Sequence, residues 1–298
     1  MKILVIGGTG TVGTAVVEEL QRRGEDVRVL TRDARRAAGL HGGVEGVVGD
    51  LLDPESLRGA FKDVDRLFLL NAVSPSEAME GLLALVMARQ TRVKRVAYLS
   101  VHHLDEAIEV PHLASKLPIE QSLKSSGIPY TILRPSNFFQ NDYWYEDSMM
   151  RLGIYPQPIG PIGLSRVDVA DIAEAAAIVL TSDRHSGITY NLVGPDVLNG
   201  PDTAAAWERV LGRPVAYCGD DLDAWEAMFR QFAPVWMIFD FRLMFELFHE
   251  KGGLATADDL AKQTALLGHA PRSFGQFCEE TGARWISMEE RSGRPSPP

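Results

Sequence analysis

Basic surface is what this sequence most plainly lacks. Its 298 residues carry 40 Asp and Glu against 30 Lys and Arg, a formal net charge of −10. Nucleic-acid and anionic-membrane binders need a cationic face, so neither kind of partner is expected. Cysteine is almost absent. Cys218 and Cys278 share no metal-ligand spacing with each other or with a histidine, so they read as reduced thiols of a cytoplasmic protein, and no metal is expected. Long apolar runs are missing too. The most apolar late stretch, Phe229 to Phe248, is interrupted by Arg230, Asp240, Arg242 and Glu246, which argues against a membrane span. The apolar run near Met1 is too short for a secretory signal, and no internal repeat is visible. What remains is an ordinary globular composition, 45% hydrophobic, in a chain long enough for one large domain or a large and a small one.

The most informative stretch is the first. Ile3 to Ile6 is an unbroken apolar run, the mark of a parallel strand buried on both faces. Gly7, Gly10 and Gly13 follow, and then an amphipathic stretch from Thr14 to Arg23. Strand, glycine turn and helix in this order form a dinucleotide-binding fingerprint. Gly7 permits the tight turn, Gly10 lets a pyrophosphate approach the backbone, and Gly13 lets helix and strand pack closely. The helix N-terminus offers free N–H groups to the phosphates.

Further strands are expected at Val27–Leu30, Val44–Val48, Arg66–Leu70, Arg95–Leu99, Tyr130–Leu133 and Ile188–Val193, with helices between them, including Ser76–Gln90 and a helix opening at Val167. Ligands of open α/β sheets bind beyond the carboxyl ends of the strands. Gly7, Arg32, Asp50, Asn71 with Ala72, Ser100 and Arg134 should therefore line one edge. Arg32, backed by Arg35 and Arg36, stands where an NAD-binding fold usually places an acid, and a cation there can pair with a 2′-phosphate. NADP(H) is therefore expected over NAD(H). The competing reading leaves these arginines solvated and gives the ribose to Asp33. Asp50 is a candidate acceptor for the adenine amino group, with Leu51 against the ring.

The fold expected is α/β, a doubly wound parallel Rossmann sheet with a smaller, mostly helical C-terminal substrate domain. Residues 1–135 plus 166–195 would form the first domain, 136–165 plus 196–290 the second, and 291–298 a disordered tail.

His112 and Lys116 lie four residues apart on the helix expected after the fifth strand, on one face and toward Ser100. Lys116 would hold the nicotinamide ribose hydroxyls, His112 would donate a proton, and Ser100 or Asn71 would orient a carbonyl oxygen. The blander alternative makes His112 and Lys116 surface residues. Asn137, Phe138 and Tyr143, with Phe139, Trp144 and Tyr145, suit an aromatic wall for a flat acceptor. The later aromatics from Trp225 to Phe248 suit a core or a homodimer interface better than a lid.

These segments resemble the atypical short-chain dehydrogenase/reductase superfamily, and within it the NmrA-like branch. The likeness rests on Gly7-Gly-Thr-Gly-Thr-Val-Gly13, Val29-Leu-Thr-Arg-Asp33, Gly49-Asp-Leu51, His112-x-x-x-Lys116, Glu120 with Ser126-Gly127, Tyr130-Thr-Ile-Leu-Arg-Pro135, Asn137-Phe138 and Asp168-Val-Ala-Asp171. It implies a preference for NADP(H), with Gly7, Thr9, Gly10, Thr11, Val12, Arg32, Asp50, Leu51 and Asn71 on the cofactor and Lys116 as an active-site lysine. Classical members use Tyr-x-x-x-Lys, and here His112 replaces the tyrosine. That replacement occurs in working reductases and in cofactor sensors alike. Reducing an ordinary ketone creates a strongly basic alkoxide and calls for a good acid. Hydride transfer to a quinone, an azo bond or an activated alkene gives a better-stabilised anion. The expected function is thus NADPH-dependent reduction of a flat, electron-poor small molecule. The alternative is a redox sensor that binds NADP(H) without turnover and acts through a protein partner.

Overall fold

The computed structural model of the chain describes residues 1–292. Its strands are β1 (Lys2–Ile6), β2 (Asp26–Thr31), β3 (Glu45–Val48), β4 (Arg66–Leu69), β5 (Arg95–Leu99), β6 (Tyr130–Pro135), β7 (Ile154–Tyr155), β8 (Ile188–Leu192) and β9 (Ala216–Tyr217). Its helices are α1 (Thr11–Arg22), α2 (Ala34–Ala38), α3 (Pro54–Ala60), α4 (Glu77–Gln90), α5 (Pro111–Ala114), α6 (Lys116–Ser125), α7 (Val169–Thr181), α8 (Gly200–Leu211), α9 (Leu222–Phe229), α10 (Val235–Lys251), α11 (Ala257–Leu267) and α12 (Phe274–Ser292).

The chain divides into two compact units. Residues 1–135, 169–192 and 261–269 form the first, and among the described residues 136–168, 193–260 and 270–292 form the second. The bounds expected from the sequence are 1–135 plus 166–195 for the first and 136–165 plus 196–290 for the second. Of the expected tail, Arg291 and Ser292 are the last residues of α12, and the rest lies outside the described residues.

In the first unit, seven strands pair in the order β3-β2-β1-β4-β5-β6-β8, every pairing parallel. The chain runs outward from β1 to β3 and then returns to the other side of β1, so the strand order reverses between β1 and β4. That reversal opens the crevice in which such sheets bind ligands. Burial on both faces explains why the strands read as apolar runs rather than alternating ones. Ile3, Leu4, Val5 and Ile6 are all buried, as are Leu67, Phe68 and Leu69. On one side Leu4, Leu67, Val96 and Ile132 pack with Leu57, Phe61, Leu85, Ile119 and Leu123. Helices α1 and α7 pack on each other, and Ala173, Ala175, Ala176 and Ala177 keep α7 slim.

The second unit is mainly helical, with β7 and β9 as a short parallel pair. Its core is aromatic. Trp207 stacks on Trp285 with ring centroids 4.7 Å apart, and Phe139, Phe274 and Phe277 close around them. Among the described residues, no helix is long and apolar enough to cross a membrane.

Candidate functional site

The glycine turn is shaped by close approach. Gly7 has φ +81°, a left-handed conformation that glycine adopts without penalty. A Cβ on Gly13 would lie 2.0 Å from the Gly7 carbonyl oxygen, so only glycine lets α1 begin this near the turn. Gly10 is exposed, and a Cβ on it would meet only the Gly7 carbonyl oxygen, at 3.5 Å. Thr14 N–H reaches the Gly10 carbonyl. The first-turn amides of Thr11, Val12 and Gly13 precede any helical partner, and no side chain caps them. The first turn carries no acid either, so the positive end of α1 is left available to an anion. Thr9 is half-buried and Thr11 exposed beside it.

At the end of β2, Asp33 is the N-cap of α2. Its Oδ1 accepts the backbone N–H groups of Arg35 at 2.8 Å and Arg36 at 3.4 Å. Arg32 is exposed, with no side-chain hydrogen bond or ion pair among the described residues. After β3, Asp50 Oδ1 accepts the Leu52 N–H at 2.8 Å, while Ser56 braces the Asp50 backbone. Leu51 packs against the core beneath.

The edge of β4 is unusual. Asn71 is 6% exposed, yet neither atom of its amide has a partner. Its Oδ1 lies against Gly81 of α4. Ala72 beside it is exposed. One turn before Gly81, Glu77 is 1% exposed and forms an ion pair with Lys116 Nζ. Burial raises the Glu77 carboxyl above its ordinary range, and Lys116, His112 and Ser115 only partly offset this.

His112 and Lys116 do not share one helix as the spacing predicts. The chain turns at Ser115, leaving His112 on α5 and Lys116 as the first residue of α6. The two still meet, because the His112 carbonyl accepts from Lys116 Nζ at 3.3 Å and from Ser115 Oγ at 2.8 Å.

Ser100 is buried at the end of β5, and its hydroxyl donates to Glu120 Oε1 at 2.6 Å. Arg134 does not line the edge freely. It grips Glu120 through Nε at 2.9 Å and Nη2 at 2.8 Å, and reaches Asp105 at 3.1 Å. Burial works to raise the Glu120 carboxyl, but bonds from Arg134, Lys124 and Ser100 outweigh it and hold the group below its ordinary range.

In the second unit, Asn137 and Phe138 are half-buried. Asn137 Oδ1 accepts from Arg166 Nε at 3.1 Å, and the Phe138 carbonyl accepts from Arg166 Nη2 at 2.8 Å. The expected aromatic wall is mostly core. Phe139 and Tyr145 are buried, and Trp144 is 72% exposed. Tyr143 is half-buried and stacks on Phe277 at 5.8 Å, with the Arg284 guanidinium over its ring. The chain bends into a short 3-10 helix at Phe139–Tyr145, which turns these side chains inward. Spacing alone does not signal that turn. Of the later aromatics, Trp225 and Phe245 form a small core with Ile238, and Phe229, Phe241 and Phe248 pack around it with Met244.

Residues 1–269 match the NmrA-like family, and the chain belongs to it. An NAD(P)H azoreductase of Xenophilus azovorans is 32% identical over 74% of this chain and 78% of its own. A photosystem II assembly factor, Ycf39, of Cyanophora paradoxa is 28% identical over 72% of this chain and 70% of its own. Among solved structures, an NADPH-dependent quinone oxidoreductase of Escherichia coli complexed with NADPH superposes with a TM-score of 0.82 at 24% identity, covering 94% of this chain and 99% of that one.

Proposed function

We propose that the protein is an NADPH-dependent reductase that passes a hydride to a flat, electron-poor small molecule such as a quinone, an azo compound or an activated carbonyl or alkene. The observation that carries the cofactor is the division of labour at the end of β2. Asp33 spends a carboxylate oxygen capping α2, while Arg32 beside it stands unengaged. An acid occupied in this way is poorly placed to read a ribose 2′-hydroxyl, and an unengaged guanidinium suits a 2′-phosphate.

The other residues fit the same group. The open side of Gly10 and the uncapped amides of Thr11, Val12 and Gly13 would take the pyrophosphate. Asp50 and Leu51 would take the adenine. The orphaned amide of Asn71 is a buried polar group awaiting a partner, and buried polar groups are rarely left without one. The bound dinucleotide would supply the hydride. Lys116 would hold the ribose hydroxyls on the nicotinamide side, His112 would be the acid, and Asn137 with Phe138 would face the substrate. Ser100 or Asn71 would orient a carbonyl oxygen of the acceptor. With no tyrosine at position 112, acceptors whose anions are already stabilised are favoured. The azoreductase relative supports that class. A cytoplasmic setting goes with Cys218 and Cys278 both being free thiols.

The second reading, a sensor that binds NADP(H) without turnover, is favoured by the assembly-factor relative and by the same tyrosine replacement. NADPH consumption across quinones, azo dyes, enones and simple ketones separates the two, with cofactor binding measured on the same sample. Turnover on an electron-poor acceptor is the expected result. Tight binding with no turnover on any of them would overturn the reductase.

A further inference from the structure

Glu77 is the buried group that the reading above leaves without a task. It sits in the first turn of α4, where an acid is ordinarily a surface residue complementing the helix dipole. Here the side chain is 1% exposed and paired with Lys116 of α6, 39 residues later. Its second oxygen, Oε2, is buried without a partner. The pair is ringed by polar groups from every neighbouring element. Ser115 and His112 face Glu77 from the turn and from α5. The Tyr98 hydroxyl of β5 is buried without a partner and feels both Glu77 and Glu120, and Glu120 is itself held by Arg134 and Lys124. Asn71 lies one turn along the same side of α4. An ion pair this buried and this incompletely satisfied stabilises a fold weakly at best. What it does fix is where the Lys116 ammonium stands, since Nζ is tied at once to Glu77 and to the His112 carbonyl.

We propose that Glu77 is a positioning residue. It holds Lys116 and the His112–Ser115 turn in place for the cofactor, and protonating it releases them. This rests on the NADPH reading for the cofactor's identity but not for the restraint itself. Because burial raises the Glu77 carboxyl, it takes a proton at a higher pH than an exposed glutamate does. NADPH binding should then weaken on the acid side as the anchor is lost.

Three measurements test this on wild type, Glu77→Gln and Glu77→Asp. Thermal midpoints establish folding. NADPH dissociation constants between pH 5 and 9 should be about tenfold weaker in Glu77→Gln at neutral pH, the loss expected when an anchored charged contact is released. The acid-side loss of affinity seen in wild type should be absent from Glu77→Gln, while Glu77→Asp should keep part of both affinity and pH dependence. A purely structural role would not give that pattern. Independently of cofactor, the sequence has seven lysines, few enough to resolve by lysine-labelled NMR. The Lys116 ε-methylene signal, identified by its loss in Lys116→Arg, should stand apart from the others in wild type and move toward them in Glu77→Gln. An unmoved Lys116 signal, or a Glu77→Gln protein that binds NADPH with wild-type affinity and pH dependence, overturns the assignment. A wild type that binds NADPH but reduces nothing ends the reductase reading and leaves these results to decide on Glu77. A wild type that binds no NADPH leaves the NMR comparison to decide alone.

Discussion

The Arg166–Asp142 pair of the second unit and the Lys116–Glu77 pair of the first are both buried, and they are finished differently. Asp142 has every oxygen spoken for. Oδ1 accepts from Arg166 at 2.7 Å and from Tyr155 at 3.1 Å, and Oδ2 from the Trp207 indole at 2.8 Å. Arg166 in turn holds Asn137 and the Phe138 carbonyl. Glu77 has one oxygen bonded and one orphaned, with Asn71 and Tyr98 orphaned nearby. A saturated network in a low-dielectric interior is rigid and specifies one packing. An unsaturated one at the carboxyl edge of a parallel sheet is what a binding site looks like when its ligand's polar groups are part of the account. The first pair is therefore read as scaffold and the second as site.

The largest effect should come from breaking the scaffold pair. Asp142→Ala leaves the Arg166 guanidinium fully buried and uncompensated, and about 3–5 kcal/mol of stability should be lost. Urea unfolding measures it. The fraction that stays folded should still bind NADPH. A variant that keeps its stability would show that the two pairs are not the opposites described above.

Arg32→Glu sharpens the site side. It touches no bond of the fold, so stability should hold. NADPH binding should weaken by about 2 kcal/mol, roughly thirtyfold, because charge-assisted bonds to a phosphate are lost. NADH binding should change far less. Equal losses for both cofactors would return the ribose to Asp33.

Glu120 and Glu77 extend the comparison within the first unit, because burial wins at one and bonding at the other. Glu120 is held below its ordinary range. The stability it contributes is present above the unfolded value, about 4.3, and is lost as pH falls through its lower folded value. Glu77 is raised. In the folded state it takes its proton more readily, so its ionisation works against stability as pH rises from the unfolded value through the folded one. Glu120→Gln should flatten the acid side of the stability profile by about 1 kcal/mol, the order of one charge-assisted hydrogen bond less the cost of burying the charge. Urea unfolding repeated across the acid range measures it. An unchanged profile would assign that acid loss to other carboxylates.

Much of the first unit was legible in the sequence because its signals are local. Apolar runs name the strands, Gly7 and Gly13 name the turn, and parallel order puts Arg32, Asp50 and Asn71 on one edge. The site's buried partners were not legible. Glu77 reads as a helix-start acid, and only the packing of α4 on α6 brings it to Lys116. Asp142 and Arg166 are separated by a Pro/Gly-rich passage that carries no periodicity. The break at Ser115 does have a signal that the His112–Lys116 spacing overlooks, Pro118, which has no N–H to give the Ala114 carbonyl four residues back. Tyr143 lies in an aromatic run whose inward and outward faces are decided by a 3-10 helix rather than by composition. Long-range pairing and irregular turns are set by tertiary contact, which spacing does not encode.

The smallest effect, and the one most specific to the chemistry, belongs to His112. It lies on α5 with its carbonyl holding Lys116 and Ser115, and His112→Ala keeps that carbonyl. The substitution therefore removes the imidazole, with its charge beside Glu77, and keeps the backbone bond to Lys116. General-acid catalysis is worth about 10²–10⁴-fold where the transition state needs the proton. A quinone or azo acceptor yields an anion stable enough to be protonated by water, so kcat on such substrates should fall less than about tenfold, well below that range. An enone or ketone, where one is reduced at all, should lose more, because its developing oxyanion is more basic. The measurement is the ratio of the two losses in parallel NADPH-consumption assays. A larger loss on the less activated acceptor makes His112 the acid. Equal and negligible losses on both would remove the imidazole from the chemistry and leave position 112 as a backbone anchor for Lys116.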